Sequence, residues 1–330
     1  MVSIICPIYN EERFIEHCIQ SVLAQDLPAN EWELLLVDGG STDNTRALIK
    51  PYVDQHVNIQ LLDNPHKTAP YAMNIGIRAA KGEYICRMDA HSFFPANYVS
   101  RLLLFKEKLS DAANVGGVCD TQPANDSTKA KAIAIACSHQ LGVGNSTFRT
   151  KTIQKPKQVD TVPFGFWHKT IFDKVGYFDE ELTRNQDDEF NARTIRNGGK
   201  IYLVPELSVT YFARDSILKT GQMFYQYGLF KPLVNKKLKR PATARQFVPP
   251  LFVTWLIIGL PLSFVHPILA AIYTLVLTLY LLLVCVIGIQ HRNAYLPLVF
   301  AMIHLSYGWG YLVGMWKVVT HQSFNVNSKR

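Results

Sequence analysis

No GxGxxG follows the first apolar run of this 330-residue chain, and no GxxxxGKS or GxxxxGKT occurs in it. The first absence excludes a dinucleotide-binding Rossmann dehydrogenase in its usual form, and the second a P-loop enzyme. Any nucleotide bound here is held mainly by something other than a glycine-rich phosphate loop. Cysteine is scarce: six residues, no CxxC pair and no regular spacing. Cys6, Cys86 and Cys119 stand in or beside apolar strand-like runs and read as core thiols of a reducing compartment. The opening MVSIICPIYNEE lacks a basic n-region and a long apolar stretch. It does not read as a signal peptide, so the soluble part is expected to stay in the cytosol.

Charge is what the C-terminal region lacks. FVPPLFVTWLIIGLPLSF (247–264) and PILAAIYTLVLTLYLLLVCVIGI (267–289) hold no charged residue, and YLPLVFAMIHLSYGWGYLVGMW (295–316) carries a single histidine. A hydrocarbon core of about 30 Å takes roughly 20 apolar residues of helix. Three membrane segments are therefore expected over 247–319, the first interrupted by Pro249, Pro250 and Pro261 and so tilted, kinked or only partly inserted. Buried helices of a soluble core are the competing reading, but such helices seldom run this long without a charge. The net charge of +8 is partly local, because KPLVNKKLKRPATAR (231–245) carries six Lys or Arg and no acid. Beside an apolar segment, such a run marks the cytosolic side and attracts anionic lipid. That position, and the lack of any nucleic-acid motif, set aside a nucleic-acid patch.

What is present before residue 240 is a soluble mixture with two alternating periodicities. VSIICPIY, WELLLVDGG, NIQLLDN and EYICRMDA read as strands. EERFIEHCIQSVLAQ sets Phe14, Ile15, Cys18, Ile19 and Val22 at helical spacing. STDNTRALIKPYV opens with capping residues, and APYAMNIGIRAAKG closes at Gly82. The alternation implies an α/β fold with a mostly parallel central sheet covered by helices on both faces. Ligands of such sheets sit at the C-terminal strand ends. Three of those ends carry chemistry: Pro7-Ile8-Tyr9-Asn10-Glu11, Asp38-Gly39-Gly40-Ser41 and Asp89-Ala90-His91. On an extended chain, a carboxylate and an imidazole two residues apart project to one side. Such a pair can hold a hard divalent cation that neutralises a diphosphate leaving group. Taken alone, an Asx-type turn with a solvated histidine explains the pair equally well.

Together, SIICPIYNEE, LLLVDGGSTDNT and APYAMNIGIRAAKGEYICRMDAH resemble the family 2 glycosyltransferases. The resemblance covers roughly residues 1–215 and is specific as a set, although each piece alone is weak. It implies the GT-A nucleotide-diphospho-sugar transferase fold, followed here by C-terminal transmembrane helices, and transfer of a sugar with inversion from a nucleotide sugar. It implies that Pro7, Tyr9 and Glu11 line the nucleoside pocket, that Asp38 hydrogen-bonds the base, usually uracil, and that Asp89 and His91 occupy the metal-binding Asp-x-Asp. Histidine replaces the second aspartate, and imidazole suits manganese better than magnesium. Lys67 and Arg87 are further candidate phosphate partners.

The same resemblance extends to TRNQDDEFNARTIRNGGKIYLVP. Inverting transfer needs a carboxylate to take the proton of the acceptor hydroxyl. Aligned on Arg193, the family's Glu-Asp pair falls on Gln186 and Asp187, so Asp187 is the expected base, with Asp188 the lesser candidate and Glu189 in support. Acids gathered at a helix start, stabilised by its dipole, are the competing reading. DTVPFGFWHKTIFDKVGYFDEEL resembles the acceptor-side segment: Gly165 would permit close approach, while Phe166 and Trp167 would stack on a sugar or, the preferred reading, pack in the core. Tyr211 stands where relatives often carry a metal-binding histidine, and Arg214 nearby would pair with phosphate or with a surface acid.

Within the family the resemblance leads toward membrane-bound bacterial exopolysaccharide enzymes of the succinoglycan type. It rests on RMDAH, on the segment around Asp187, and on YFARDS followed by QMFYQYGLFK. This implies a GT-A catalytic domain over 1–215, an amphipathic interface helix and basic linker over 216–246, the membrane region over 247–319 and a tail over 320–330. The implied partners are a UDP-sugar donor, a lipid-linked saccharide acceptor and a divalent Mn or Mg ion, at the inner membrane with the catalytic domain cytosolic. A processive synthase is disfavoured because GQMFYQYGLF lacks a Gln-x-x-Arg-Trp motif. A polyprenyl-phosphate sugar synthase, a non-catalytic nucleotide-sugar scaffold and a transporter are the rival readings.

Overall fold

The computed structural model describes residues 1–144, 146–150, 152–241 and 243–324, so residues 325–330 of the expected tail lie outside it. The chain forms two compact units. Met1–Asp120 and Lys151–Tyr211 make up the body of the first, Thr121–Thr150 and Phe212–Phe324 the second.

The first unit is built on a sheet of nine strands: β1 (Val2–Ile8), β2 (Trp32–Asp38), β3 (Ile59–Asp63), β4 (Tyr84–Arg87), β5 (Ser92–Phe93), β6 (Ala112–Gln122), β7 (Lys157–Gln158), β8 (Phe166–His168) and β9 (Lys200–Phe212). Their order is β3-β2-β1-β4-β8-β6-β9-β5, with β7 on β9. The half read from the sequence is parallel: β1 lies between β2 and β4, and β3 flanks β2. Every residue of β2 is buried, as expected of a strand covered on both faces. Beyond β4 the sheet turns antiparallel, β8 against β4 and against β6, and β5 and β7 against β9. The sheet is thus mixed, where a mostly parallel one was expected.

Helices α1 (Ile15–Leu23), α2 (Thr45–Gln55), α3 (Ala69–Ala79) and α4 (Tyr98–Lys108) connect the early strands. α1 buries Ile15, Cys18, Ile19 and Val22, as its spacing predicts. It starts later than expected, because the backbone N–H groups of Phe14 and Ile15 both return to the Glu11 carbonyl and close a turn. α3 seats Met73 and Ile77 against Ile5, and Gly76 permits this approach, since a Cβ there would lie 2.5 Å from the Ile5 side chain.

In the second unit, residues 121–150 fold with the C-terminal helices. This segment supplies α5 (Thr128–Ser138), α6 (Gln140–Val143) and α7 (Thr147–Thr150); α8 and α9 belong to the first unit and follow below. The long helices are α10 (Ile217–Leu238), α11 (Val248–Ser263), α12 (Pro267–Gln290) and α13 (Leu296–Val319). Ala132, Ile133, Ala136 and Cys137 of α5 share a core with Val284, Ile287, Val299, Phe300 and Ile303. Asn293 donates to the Thr128 carbonyl at 2.9 Å, and His304 Nε2 lies 2.7 Å from the Leu141 carbonyl. Three helices are long and apolar enough to cross a membrane: Ala244–Ser263, counted with the 3₁₀ turn ahead of α11, Pro267–Gln290 and Leu296–Val319.

α10, expected as an amphipathic interface helix, packs lengthwise on α13, with Phe224 and Phe230 buried. Small residues allow the approach: a Cβ on Gly228 would strike the Tyr307 backbone, and one on Gly310 the Tyr225 carbonyl. Overpacking a well-fitted contact costs about 1–3 kcal/mol. Gly228→Val is therefore expected to lower the melting temperature of the detergent-solubilised protein. An unchanged melt would mean that the two helices do not meet there.

Candidate active site

The parallel register sets Asp38 level with Ile8 and Asp63, and Arg87 opposite Ile5. Three chain ends therefore leave the sheet together. Asn10, with φ 55°, turns the chain after β1 and is tied to the loop after β2: its N–H donates to Ser41 Oγ at 2.8 Å, and its side-chain oxygen accepts from the Thr42 N–H at 2.8 Å. The Glu11 N–H donates to Thr45 Oγ1 at 2.8 Å. Gly39 sits under Lys67 and Tyr9, where a Cβ would come within 3.2 Å of the Lys67 backbone and 3.4 Å of the Tyr9 ring. Pro7, Tyr9, Glu11, Asp38 and Lys67 are thus gathered at one end of β1, β2 and β3.

Asp38 is less available than expected. Its carboxylate is fully buried, accepts from Ser41 Oγ at 2.6 Å and pairs with Arg46 at 2.8 Å. Arg46 in turn reaches Asp63 at 2.7 Å, so as arranged Asp38 braces the loop.

β4 ends at Arg87, and the next residues do not continue extended. The Ser92 N–H bonds back to the Asp89 carbonyl at 3.0 Å, closing a turn. The projection argument for Asp89 and His91 therefore fails in detail, because a turn, not an extended strand, presents them. The turn does not leave the histidine solvated. His91 is half-buried, its Nδ1 stands 3.5 Å from Glu11 Oε1, and its ring meets Tyr211 edge-on at 6.0 Å.

Asp187 arrives from the other side of the chain. It lies in the first turn of α9 (Gln186–Arg196), after Asn185 in the left-handed region. Two polar networks hold that helix. Asn114 of β6 donates to Asn191 at 2.9 Å, and Asn191 donates to Thr161 at 2.9 Å. Glu189 is buried and grips Arg193 through both oxygens, at 2.8 and 2.9 Å, while Arg193 donates to the carbonyls of Val175 and Tyr177. Val175 ends the short α8 (Ile171–Val175). Glu189, through Arg193, thus ties α9 to the end of α8 and the chain after it. No side chain caps α9, and Asp187, Asp188 and Glu189 all stand in its first turn, where the helix dipole also favours them.

Between the two aspartates lies Arg87. Its Nη1 reaches the Asp187 oxygens at 2.7 and 2.9 Å, its Nε reaches Asp89 Oδ1 at 2.9 Å, and its Nη2 reaches Asp89 Oδ2 at 3.3 Å. Burial pushes the Asp187 carboxyl up. Arg87 pulls it down and Asp89 and Asp188 push it up again, leaving it above the ordinary carboxylate range. Burial works against the Arg87 charge, but Asp187 and Asp89 more than offset it, so the guanidinium stays charged. A carboxylate poised in this way suits a general base.

Four further candidates are Gly165, Phe166, Trp167 and Arg214. Phe166 and Trp167 are buried, in line with the preferred core reading, and a Cβ on Gly165 would strike the Trp167 indole. Trp167 packs among Phe172, Phe178 and Phe190. Arg214 belongs to the second unit, half-exposed.

Residues 3–176 match the family described as Glycosyl transferase family 2. The chain belongs to that family. Among curated family 2 relatives, a dolichyl N-acetyl-α-D-glucosaminyl phosphate 3-β-D-2,3-diacetamido-2,3-dideoxy-β-D-glucuronosyltransferase of Methanococcus voltae is 31% identical over 72% of this chain and 74% of its own. The succinoglycan biosynthesis protein ExoA of Rhizobium meliloti is 28% identical over 74% of this chain and 73% of its own. Among solved structures, the mannosyltransferase PcManGT of Pyrobaculum calidifontis, in complex with GDP-Man and Mn²⁺, aligns with a TM-score of 0.61 at 16% identity, over 94% of this chain and 86% of that one. S. aureus TarS 1–349 in complex with UDP-GlcNAc aligns with a TM-score of 0.51 at 14% identity, over 99% and 93%. These likenesses establish the GT-A fold, and the relatives establish a glycosyltransferase.

GT-A enzymes of this family generally use a divalent cation. Among the described residues no three His, Cys, Asp or Glu side chains form a metal cluster. The donor set that is present fits a cation completed by substrate phosphates: one carboxylate, Asp89, and one imidazole whose Nδ1 faces Glu11, leaving Nε2 for the metal.

Proposed function

We propose that this family 2 glycosyltransferase moves a sugar, glucose in the first instance, with inversion from a UDP-sugar to a hydroxyl of a lipid-linked saccharide, in the assembly of exopolysaccharide or cell-surface glycan. The observation that carries this reading is the pairing of Asp187 with the Asp89 turn through Arg87. It sets a candidate base beside the residues proposed for the donor diphosphate. Asp187 takes the proton of the acceptor hydroxyl, the acceptor oxygen bonds to the anomeric carbon, and the bond to the UDP oxygen breaks. Asp89 and His91 would hold Mn²⁺ or Mg²⁺, which when bound offsets the charge of the leaving diphosphate. Pro7, Tyr9, Glu11 and Lys67 line the nucleoside end. Asp38 selects uracil there, which requires Ser41 Oγ to release it. The names of the Methanococcus and Rhizobium relatives, one a transferase to a dolichyl-linked sugar and one an exopolysaccharide protein, support the acceptor class. The three apolar helices and the run of six basic residues before them support a multi-pass inner-membrane protein whose catalytic unit faces the cytosol and whose basic run meets anionic lipid.

The test is UDP release from a panel of UDP-sugars by the detergent-solubilised protein, with manganese or magnesium, with and without a membrane-lipid extract. Metal-dependent release that needs the extract is expected. Binding of UDP without release from any donor in the panel would sink the reading.

A further inference from the structure

We propose that Arg87 is the positioning residue of the catalytic base, aligning Asp187 with the Asp89 turn from behind. The inference rests on Asp187 being that base. The Arg87 side chain is 9% exposed, while Asp89 and Asp187 are 21% and 34% exposed. The guanidinium therefore lies beneath both carboxylates, which present their outer faces to the site. Four contacts engage it, two to each aspartate. All three of its nitrogens are engaged. As arranged, Arg87 is committed to two carboxylates, which sets it apart from the exposed cation a phosphate contact would need.

The arrangement does three things at once. It orients Asp187, whose own helix has no side-chain cap at its start and is held further along through Asn191 and Arg193. It offsets the mutual repulsion of two acids, Asp89 and Asp187, that stand far apart in sequence and meet on the same guanidinium. It also ties the proposed donor side to the proposed acceptor side through one rigid planar group, so a displacement of the Asp89 turn reaches the base directly. A lysine keeps the charge but lacks the fork that spans two carboxylates.

The experiment uses full-length protein in detergent and the UDP-sugar selected by the panel, comparing Arg87→Lys, Arg87→Met, Asp187→Asn and the double variant Arg87→Lys/Asp187→Asn. UDP binding by calorimetry scores the folded fraction. Arg87→Lys is expected to lower kcat on the order of 10²-fold, within the range a general base supplies, with KM for the donor changed by less than about threefold. Arg87→Met should fall further. The double variant should be no slower than Asp187→Asn alone, because both changes remove one function. Wild-type kcat per folded molecule in Arg87→Lys would overturn the inference and leave the base assignment standing. A raised KM with kcat kept would show a phosphate contact, and a multiplied loss in the double variant would show an independent role; either overturns it. If Asp187→Asn itself retains turnover, the base assignment falls and the inference with it.

Discussion

Asp187→Asn should lower sugar transfer by about 10²–10⁴-fold, the usual contribution of a positioned general base, while leaving UDP binding intact. The base must be ionised to accept a proton. Since its folded pKa is raised, activity should be present above that pKa and lost as pH falls through it, with an acid limb higher than an exposed aspartate would give. Stability runs the other way. A carboxyl whose folded pKa exceeds its unfolded one contributes stability below the unfolded pKa and loses it as pH rises through the folded pKa. The asparagine variant also leaves the buried Arg87 guanidinium with one carboxylate fewer, so UDP binding rather than the melting temperature scores its folded fraction. The same loss of turnover separates an acceptor hydroxyl from a lipid phosphate, which needs no base. Transfer that survives Asp187→Asn would assign the chain to a polyprenyl-phosphate sugar synthase or to another base.

The parts of this molecule that were legible are those where one period persists over many residues. The strands and helices of the first 90 residues, and the three apolar helices after residue 243, each repeat their signal long enough to be read. β5 and β8, of two and three residues, are too short to hold any period, yet β8 turns the sheet antiparallel. Residues 121–150 read as part of a soluble domain because α5 is rich in alanine and nearly featureless. Only its packing on Val284 and Phe300 shows where it belongs. The site divides similarly. Strand ends announce Tyr9, Asp38 and Asp89, since a parallel sheet collects its ligands there. Arg87 looked like one more cation for a phosphate, because its partner Asp187 lies a hundred positions away. Asn114, Thr161 and Asn191, which hold α9, carry no local pattern at all.

Trp167→Ala should cost about 3–5 kcal/mol of stability, the range for deleting a large buried aromatic. For a domain of this size that corresponds to a melting temperature lower by roughly 10 °C. Trp167 is 2% exposed and meets Phe172, Phe178 and Phe190 at 5.9 Å each, with rings inclined at 64°, 80° and 87°. Gly165 closes the space on its other side, and Asn74 of α3 pins Phe178 through its backbone at 2.9 and 3.0 Å. The cavity could therefore collapse only by moving α9, which carries Phe190 and Asp187 together. Trp167→Phe should lose much less. It keeps most of the ring and removes an indole N–H that has no hydrogen-bond partner among the described residues, so the deletion of a buried unsatisfied donor offsets part of the lost volume. An acceptor-stacking tryptophan would behave in the opposite sense: KM for the acceptor would climb in both variants while the melting temperature stayed in place. The paired measurement of melting temperature and acceptor KM thus decides whether the aromatic segment next to the base touches the sugar or holds up the helix that does the chemistry.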